Sequence, residues 1–493
     1  MTAAEEQPLL GAIPGDVEHG LKPETDDHTL EFELGDPEDP RQWPVLFKWA
    51  MVLLLASMAF TVTFTCISVV PIANRIVRDL TPSDDSQVQH SASSALLVTI
   101  WELGEAAGPL LIAPLSEVLG RYPVINGCNL LFITFTLVGA LSQSTSLLIT
   151  ARALTGLTVA SNVLNPAIIG DMFESDHRGS AMSLLMLAPL IGGAIGPCIS
   201  GGITEALGWR WVLLIAASLT MTCELLFLTC FRETYKMKIL RRKADRLGLK
   251  KPKKGANKLL PSITRPFEVL FGSAVLLAMS FFGSVAFSYY YVISISLPEI
   301  LERVYKFSPS EIGAAFLCFS VGSFFGVIVC NTCLDRLYIA LRHRAHGSGK
   351  PEHRLPLAVI GALTLPLTVT AYGCVAQARL PVALLLISVS FIGFTLMLVI
   401  IPLSAYVVDA YKLYSASAMT GIIVIRCLMS TFLPLTVDPL VTGWGFGWGF
   451  TTLGAIAFAF SPVPVCVFLW GEGWRQKSEF TRDGDGEYES ITN

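Results

Sequence analysis

The sequence predicts an all-α membrane protein with about twelve spanning helices in two six-helix halves. The chain has 493 residues, of which 52% are hydrophobic and only 15% are charged, whereas soluble globular chains carry roughly a quarter charged residues. The charged residues form short clusters that separate long apolar stretches. This distribution is typical of membrane spans and differs from that of a large water-soluble core.

Twelve apolar stretches follow one another along the chain, each near the length that a helix needs to cross a membrane. About 20 helical residues cross the roughly 30 Å hydrocarbon layer, and in lipid the backbone must satisfy its own hydrogen bonds. Such long continuous runs do not fit the alternating ten-residue strands of a barrel. The predicted spans are 47–71, 92–114, 124–143, 146–170, 180–203, 209–231, 268–297, 310–334, 355–376, 382–408, 415–437 and 446–470.

A strongly basic stretch follows the sixth span and divides the chain. When the spans alternate in direction, the basic loops fall on one side, so the positive-inside rule predicts that both termini and this linker are cytosolic. Membrane topology explains the charge better than nucleic-acid binding does, and contact with anionic lipid headgroups is a milder second role. The predicted units are a disordered tail (1–46), a first half (47–231), the linker (232–267), a second half (268–470) and a C-terminal tail (471–493).

The second span carries two acids near mid-membrane, Glu102 and Glu105. Residues three apart share one face of a helix, and a carboxylate in hydrocarbon must be protonated, paired or exposed to a watery cavity. Arg152 lies at similar depth in the fourth span, so we expect it to neutralise one acid while the other exchanges a proton. The alternatives are a static buried pair that fixes helix packing and an arginine that snorkels to the surface.

Two further segments have distinctive spacing. The loop 114–123 reads PLSEVLGRYP, in which Gly120 permits a tight turn and Ser116, Glu117 and Arg121 supply polar and charged groups; the alternative is an ordinary basic turn. The fifth span contains GGAIGPCISGG at 192–202. Its glycines allow another helix to approach closely, and its proline removes a backbone donor and bends the helix.

These segments resemble the motifs of the major facilitator superfamily, and their order resembles its twelve-span fungal drug:proton antiporter branch. The resemblance extends from about residue 36, where DPEDPRQW precedes the first span, to about residue 480. It implies a major facilitator fold with a substrate site between the halves, and alternating access by rocking of one half against the other.

The resemblance also implies three sets of functional residues. The antiporter helix motif comprises Gly192, Gly196, Pro197 and Gly201, with Ser200 replacing one expected glycine. The conformational gating set comprises Ser116, Glu117, Gly120, Arg121, Asp335, Arg336, Asp409 and Arg426. The cavity set adds Tyr289 and Tyr290 of the seventh span to Glu102, Glu105 and Arg152.

Asp409 and Arg426 lie near predicted span ends, so simple interfacial charges are an alternative to gating residues. The aromatic side chains of the seventh span suit a bulky, partly apolar or cationic substrate, although lipid-facing rings are also common there.

The predicted function is proton-coupled efflux of small organic molecules such as drugs or secondary metabolites. The alternatives are a polyamine or organic-acid exporter, a gradient-independent uniporter, and a transporter-like sensor with little flux. The sequence has no Walker loop and no zinc-ligand spacing, so we expect neither an enzyme nor a cofactor or metal. The expected partners are the bilayer, the substrate and protons, without nucleic acid, and the expected state is a monomer. We expect a plasma-membrane location; EEQPLL at 5–10 resembles a sorting signal that would instead direct the chain to a vacuole.

Overall fold

The computed structural model describes residue 32 and residues 36–81, 87–173, 175–247, 259–344, 349–411 and 414–482. Within these ranges the chain is helical and contains no β-strand. The sorting-signal-like sequence at 5–10 lies outside the described residues.

The first half contains six spans. In chain order these are Val45–Ile67 continued by Ala73–Leu80, Gln87–Leu119, Arg121–Ala140, Thr145–Leu157 continued by Ser161–Met172, Ser175–Ala206, and Trp209–Cys230. Two helices follow in the linker, Lys236–Leu247 and Leu259–Phe271. The breaks inside the first and fourth spans are short, so each still crosses the membrane as one unit.

The second half begins with Ala274–Arg303, Pro309–Arg344, Pro356–Gln377 and Val382–Tyr411. Its remaining helices are Ser415–Phe432, Val437–Phe460 and Pro462–Arg475, followed by a short helix, Glu479–Arg482. A 3-10 turn, Pro351–Arg354, precedes the ninth span.

Gly445 separates the eleventh span from the twelfth. Eleven helical runs within the described ranges are long and apolar enough to cross a membrane, and the last, Ser417–Arg475, is 59 residues long. At 1.5 Å per residue this run is about three times the thickness of the hydrocarbon layer, so it must fold back on itself. Gly445 provides the turn with a φ of 76° and a ψ of 170°, a conformation that glycine adopts without strain. The run therefore counts as two spans, which confirms the predicted total of about twelve.

The two halves meet along a small number of central helices. Within the first half, the first span packs on the fifth, and the second on the fourth; in the second half, the eighth packs on the tenth, and the seventh on the eleventh. Between the halves, the fifth span packs on the eighth and the second on the eleventh. We call the membrane face that carries helix Lys236–Leu247 the linker side and the other face the opposite side.

The chain just before the first span packs against helix Lys236–Leu247, which we call the linker helix. Asp36 pairs with Lys243 at 2.6 Å and Glu38 pairs with Arg246 at 2.6 Å, while Asp39 caps the 3-10 turn Pro40–Gln42. The hydrogen bond from Lys243, together with one from the backbone N–H of Glu38, holds the pKa of Asp36 below its ordinary value. The end of the tail that we predicted to be disordered is thus a structured segment from residue 36 onwards.

Candidate transport cavity and gates

A cavity of about 250 Å³ lies between the halves. The first, second, fourth and fifth spans line it from one half, and the seventh, eighth, tenth and eleventh line it from the other. Its walls are mainly apolar and aromatic, and its ionisable side chains include Glu102, Glu105 and Arg426. An apolar pocket with a few converging polar groups is the usual form of a small-molecule site.

Glu102 is joined to the other half by a short hydrogen bond. The Tyr291 hydroxyl of the seventh span donates to Glu102 Oε1 at 2.6 Å, and Glu102 is only 3% exposed. A bond to a charged acceptor in a region from which water is excluded contributes more than the same bond at a surface. The strength of the contact between the halves therefore depends on whether the Glu102 carboxyl is ionised or protonated.

Glu105 has partners in both halves. Within its own half, Asn162 Nδ2 donates to Oε1 at 2.7 Å and Trp101 Nε1 donates to Oε2 at 3.2 Å. From the second half, Arg426 Nη2 approaches Oε1 to 3.9 Å, while the Arg426 guanidinium lies 4.5 Å from the centre of the Phe287 ring. The predicted pair of acids therefore does line the cavity, and both acids contact the opposite half.

The structure corrects the role expected of Arg152. Its guanidinium donates to the backbone carbonyls of Thr65 and Cys66 at 3.0 and 2.9 Å and lies over the Trp101 ring. These carbonyls belong to the last turn of helix Val45–Ile67, where the chain leaves α-helical geometry and its acceptors need other donors. Arg152 therefore completes the broken first span, and the cation beside Glu105 is Arg426. Arg426, which we placed near a span end, lies eleven residues into helix Ser415–Phe432 and lines the cavity.

One of the two predicted tyrosines lines the cavity. Tyr290 does so, as does its neighbour Tyr291, which we had not selected. Tyr289 is fully buried, and its hydroxyl donates to the carbonyl of Leu453 in the twelfth span. Successive helical residues point about 100° apart, so Tyr289 is rotated away from the cavity.

The glycines of the fifth-span motif face two neighbours. A Cβ atom added at Gly192 would lie 2.9 Å from the Phe60 carbonyl oxygen of the first span, and Gly196 also lies against that span. A Cβ atom added at Gly201 would lie 2.2 Å from the Pro309 carbonyl oxygen, and one at Gly313 would lie 2.2 Å from that of Pro197. The motif therefore lets the fifth span approach both the first span and the eighth span of the other half.

A polar network follows the second span on the linker side. Arg121 donates to Ser116 Oγ and to Asp171 Oδ2, the latter at 3.2 Å, and Thr234 also donates to Asp171. Glu233 accepts from the backbone N–H groups of Arg121 and Tyr122, which caps the third span next to the Gly120 turn. Glu117, which belongs to the predicted gating set, is exposed, and Arg121 pairs with Asp171.

The second half has a corresponding network around Arg354. Arg354 Nε donates to Asp409 at 2.9 Å and its Nη1 donates to Asp335, so one guanidinium joins the ends of the eighth and tenth spans. Arg336, which we included in the gating set, is exposed. Each half thus has an arginine between the linker-side ends of its spans, and neither network joins one half to the other.

Contacts between the halves lie toward the opposite side. Among the described residues, the hydrogen bonds and ion pairs across the interface include the cavity contacts and those of three further residue pairs. Thr431 Oγ1 donates to the Thr99 carbonyl at 3.4 Å, Ser310 Oγ donates to Glu205 at 2.6 Å, and Arg78 pairs with Glu302. Together with the Gly201 contact, they close the cavity on the opposite side.

A central cavity between two six-span halves is the arrangement of a secondary transporter. The sequence comparison identifies which kind: the chain belongs to the Major Facilitator Superfamily, whose family model matches residues 49–434.

Fungal transporters are among its relatives. MFS transporter cpaT of Aspergillus oryzae is 30% identical over 97% of this chain and 98% of that protein. MFS-type transporter penM of Penicillium rubens is 31% identical over 97% of each chain. Efflux pump radE of Floropilus chiversii is 30% identical over 90% of this chain and 84% of that protein.

Solved structures confirm the fold. The xylose transporter XylE from E. coli, in a partially occluded inward-open conformation, matches with a TM-score of 0.65 and 14% identity, covering 86% of this chain and 98% of that one. A D-xylose-proton symporter matches with a TM-score of 0.64 and 17% identity, covering 85% and 97%. At these identities the likeness establishes the major facilitator fold alone.

Proposed function

We propose that this protein is a proton-coupled efflux transporter that exports small organic molecules such as drugs or secondary metabolites. One observation carries the proposal: two buried carboxylates of one half, Glu102 and Glu105, contact Tyr291 and Arg426 of the other half at the cavity wall. The name of radE, an efflux pump, supports export. The glycine-rich motif of the fifth span, which resembles that of antiporters, supports exchange.

The geometry suggests how proton binding changes the contact between the halves. An ionised Glu105 attracts the Arg426 guanidinium, whereas a protonated one does not, and an ionised Glu102 is the stronger acceptor for Tyr291. A hydrogen bond to a charged group contributes about 1.5–3 kcal/mol, so losing one shifts the balance between two conformations roughly ten- to a hundredfold. Protonation of either acid therefore weakens a contact that holds the two halves together at the cavity wall.

The apolar walls favour a substrate with aromatic or aliphatic surface. Phe287, Tyr290 and Phe319 line the second-half wall beside Arg426. Rings bind flat apolar groups and cations through their faces. A drug or metabolite with an apolar body and one polar or cationic group satisfies both parts of the cavity.

We further propose that both termini are cytosolic and that the protein resides in the plasma membrane. The basic linker and the basic ends of the eighth and twelfth spans lie on one side, which the positive-inside rule assigns to the cytosol. The cavity is then closed on the outer side in this structure, and it receives substrate from the cytosol.

Substrate accumulation in cells expressing the protein tests the proposal. A panel of azoles, polyamines, organic acids and fungal metabolites is followed with the proton gradient intact and with the gradient collapsed by an ionophore. We expect at least one compound to be depleted from the cells only while the gradient is present. Depletion that persists without a gradient identifies a uniporter and contradicts coupling.

Variants of the acids then separate coupling from folding. We expect Glu102→Gln and Glu105→Gln to abolish gradient-driven export of that compound. Glu224→Gln is the matched control, because Glu224 is also buried in a span but does not line the cavity. Its carboxyl accepts a hydrogen bond from Asn129 Nδ2 at 2.7 Å. If both cavity variants export as well as the unmodified protein, neither acid carries the coupled proton.

A further inference from the structure

A surface groove of about 550 Å³ lies on the linker side, outside the transport cavity. It runs between the segment before the first span, the junction of the third and sixth spans, and the linker helix. Its walls include three aromatic side chains, Trp43, Tyr122 and Phe231, and three basic ones, Arg232, Lys238 and Arg242. We call this feature the linker groove.

The acids of the linker groove are already engaged. Glu233 accepts hydrogen bonds from the backbone N–H groups of Arg121, Tyr122, Thr234 and Tyr235. Glu38 pairs with Arg246 at 2.6 Å.

The basic side chains are available to a ligand. Arg232, Lys238 and Arg242 are exposed, and the ion pairs within the described part of the chain include none of them. The Arg232 guanidinium lies over the Phe47 ring, a contact that does not neutralise its charge. Lys238 and Arg242 are four residues apart and so share one face of the linker helix. The groove therefore presents three positive charges whose local acids are occupied elsewhere, which is complementary to an anion.

The position of the groove indicates where this anion comes from. Tyr122 lies in the first turn of the third span and Phe231 directly follows the sixth, so the groove is at the level where spans leave the hydrocarbon. Aromatic side chains favour this interfacial depth. The Tyr122 hydroxyl donates to the carbonyl of Leu228, whose side chain is exposed on the lipid-facing surface of the span below.

We propose that the linker groove binds the headgroup phosphate of an anionic phospholipid, with the acyl chains along the third and sixth spans. The phosphate meets Arg232, Lys238 and Arg242, and the aromatic walls cover the glycerol region. Bound lipid holds helix Lys236–Leu247 against the first half. Because Glu233 caps the third span beside Arg121, such binding also stabilises the Arg121–Asp171 network.

Thermal unfolding of the purified full chain in nanodiscs tests this proposal without a transport assay. We compare nanodiscs of phosphatidylcholine alone with nanodiscs containing phosphatidylserine, and titrate the anionic fraction. We expect Tm to rise with the anionic fraction, and Lys238→Gln/Arg242→Gln to need a higher fraction for the same rise. A basic residue near an anionic surface contributes about 1 kcal/mol, so each lost charge weakens binding roughly fivefold.

The control variant is Arg344→Gln/Lys477→Gln, which removes two exposed charges from the same membrane face outside the groove. A Tm response that remains normal in the control and is weakened in the groove variant supports a defined site. Equal weakening in both variants attributes the response to general surface charge and overturns the proposal. A full Tm rise with inorganic phosphate in phosphatidylcholine nanodiscs also overturns it, because the occupant is then a soluble anion.

Discussion

The Tyr291 hydroxyl lies 2.6 Å from Glu102 Oε1, and this hydrogen bond crosses the interface between the two halves. One turn further along the second span, Glu105 faces Arg426 of the eleventh span across the same interface. The two acids therefore contact different spans of the other half. A change of charge at either acid alters the free energy of contact between the halves, which is the property that a coupled transporter requires.

The Glu105–Arg426 contact predicts a measurable coupling energy. Arg426→Gln leaves Glu105 without its cation across the interface, and Glu105→Gln leaves the half-buried Arg426 guanidinium without its anion, so each single variant lowers stability. Since the double variant removes both charges, we expect it to be more stable than the sum of the single effects implies, by about 1–3 kcal/mol. A double-mutant cycle on thermal unfolding in detergent measures this term, and strict additivity would show that the 3.9 Å contact contributes nothing.

The close approach of the fifth and eighth spans predicts a steric effect on conformation. Gly201→Ala places a methyl group against the Pro309 carbonyl, which must push the spans apart at a cost of about 1–3 kcal/mol. We expect the population to shift toward a form that is open on the opposite side. Distances between spin labels at the opposite-side ends of these two spans measure that shift.

Gly202→Ala is the matched control for this prediction. The neighbouring position has no atom within 4 Å of an added Cβ, so its methyl group meets open space. We expect unchanged label distances and a stability equal to or slightly above that of the parent chain, because alanine favours helix more than glycine does. Equal shifts in both variants would show that the fifth–eighth contact does not control closure.

How much of this arrangement was predictable from the sequence depends on the distance over which each feature is determined. Hydropathy acts over about 20 neighbouring residues, so the twelve spans were predictable, including the start of the last span at residue 446, directly after the Gly445 turn. The pair of acids was predictable as well, because their spacing places them on one face of a helix. These features require only the local sequence and the thickness of the bilayer.

Contacts between helices could not be predicted in the same way. Arg152 and Arg426 are both arginines within spans, and only the rotation of each helix determines which one reaches Glu105. The same applies to Tyr289, Tyr290 and Tyr291, which are consecutive but point in different directions. Counting eleven residues from Ser415 would have placed Arg426 at mid-membrane and corrected its assignment as an interfacial charge.

The Arg78–Glu302 pair predicts a salt-dependent contribution to closure of the opposite side. The side chains are 55% and 37% exposed, so the pair contributes only about 0.2–1 kcal/mol. Arg78→Glu should increase the population open on the opposite side a few-fold, and Arg78→Glu/Glu302→Arg should restore the parent value. Label distances across the opposite side measure both effects, which high salt should reduce.

Arg303→Glu is the comparison for the charge exchange. Arg303 pairs with Glu299 at 2.7 Å within the seventh span, so its loss removes an ion pair that lies within one half and does not join the halves. We expect this variant to leave the label distances unchanged. If it opens the opposite side as much as Arg78→Glu does, the effect follows from total charge and not from the pair between the halves.

The Asp36–Lys243 pair predicts an acid-sensitive attachment of the segment before the first span. Lys243 holds the pKa of Asp36 below its ordinary value of about 3.9, so folding of this segment favours the ionised carboxylate. The stabilisation is therefore complete above that ordinary value and is lost as the pH falls through the lowered one. Hydrogen exchange of the amides of residues 38, 39 and 41–43, corrected for the intrinsic pH dependence, should show protection that decreases in this acid range.

Asp36→Asn and Lys243→Gln should each accelerate exchange at neutral pH, about fivefold for a contribution of about 1 kcal/mol. Asp36→Asn should remove the acid step, whereas Lys243→Gln should only reduce it, because the backbone N–H of Glu38 still donates to Asp36. Glu38→Gln removes only the more exposed pair with Arg246 and should keep the step. If the acid step persists in Asp36→Asn, another group controls the attachment of this segment to the linker helix.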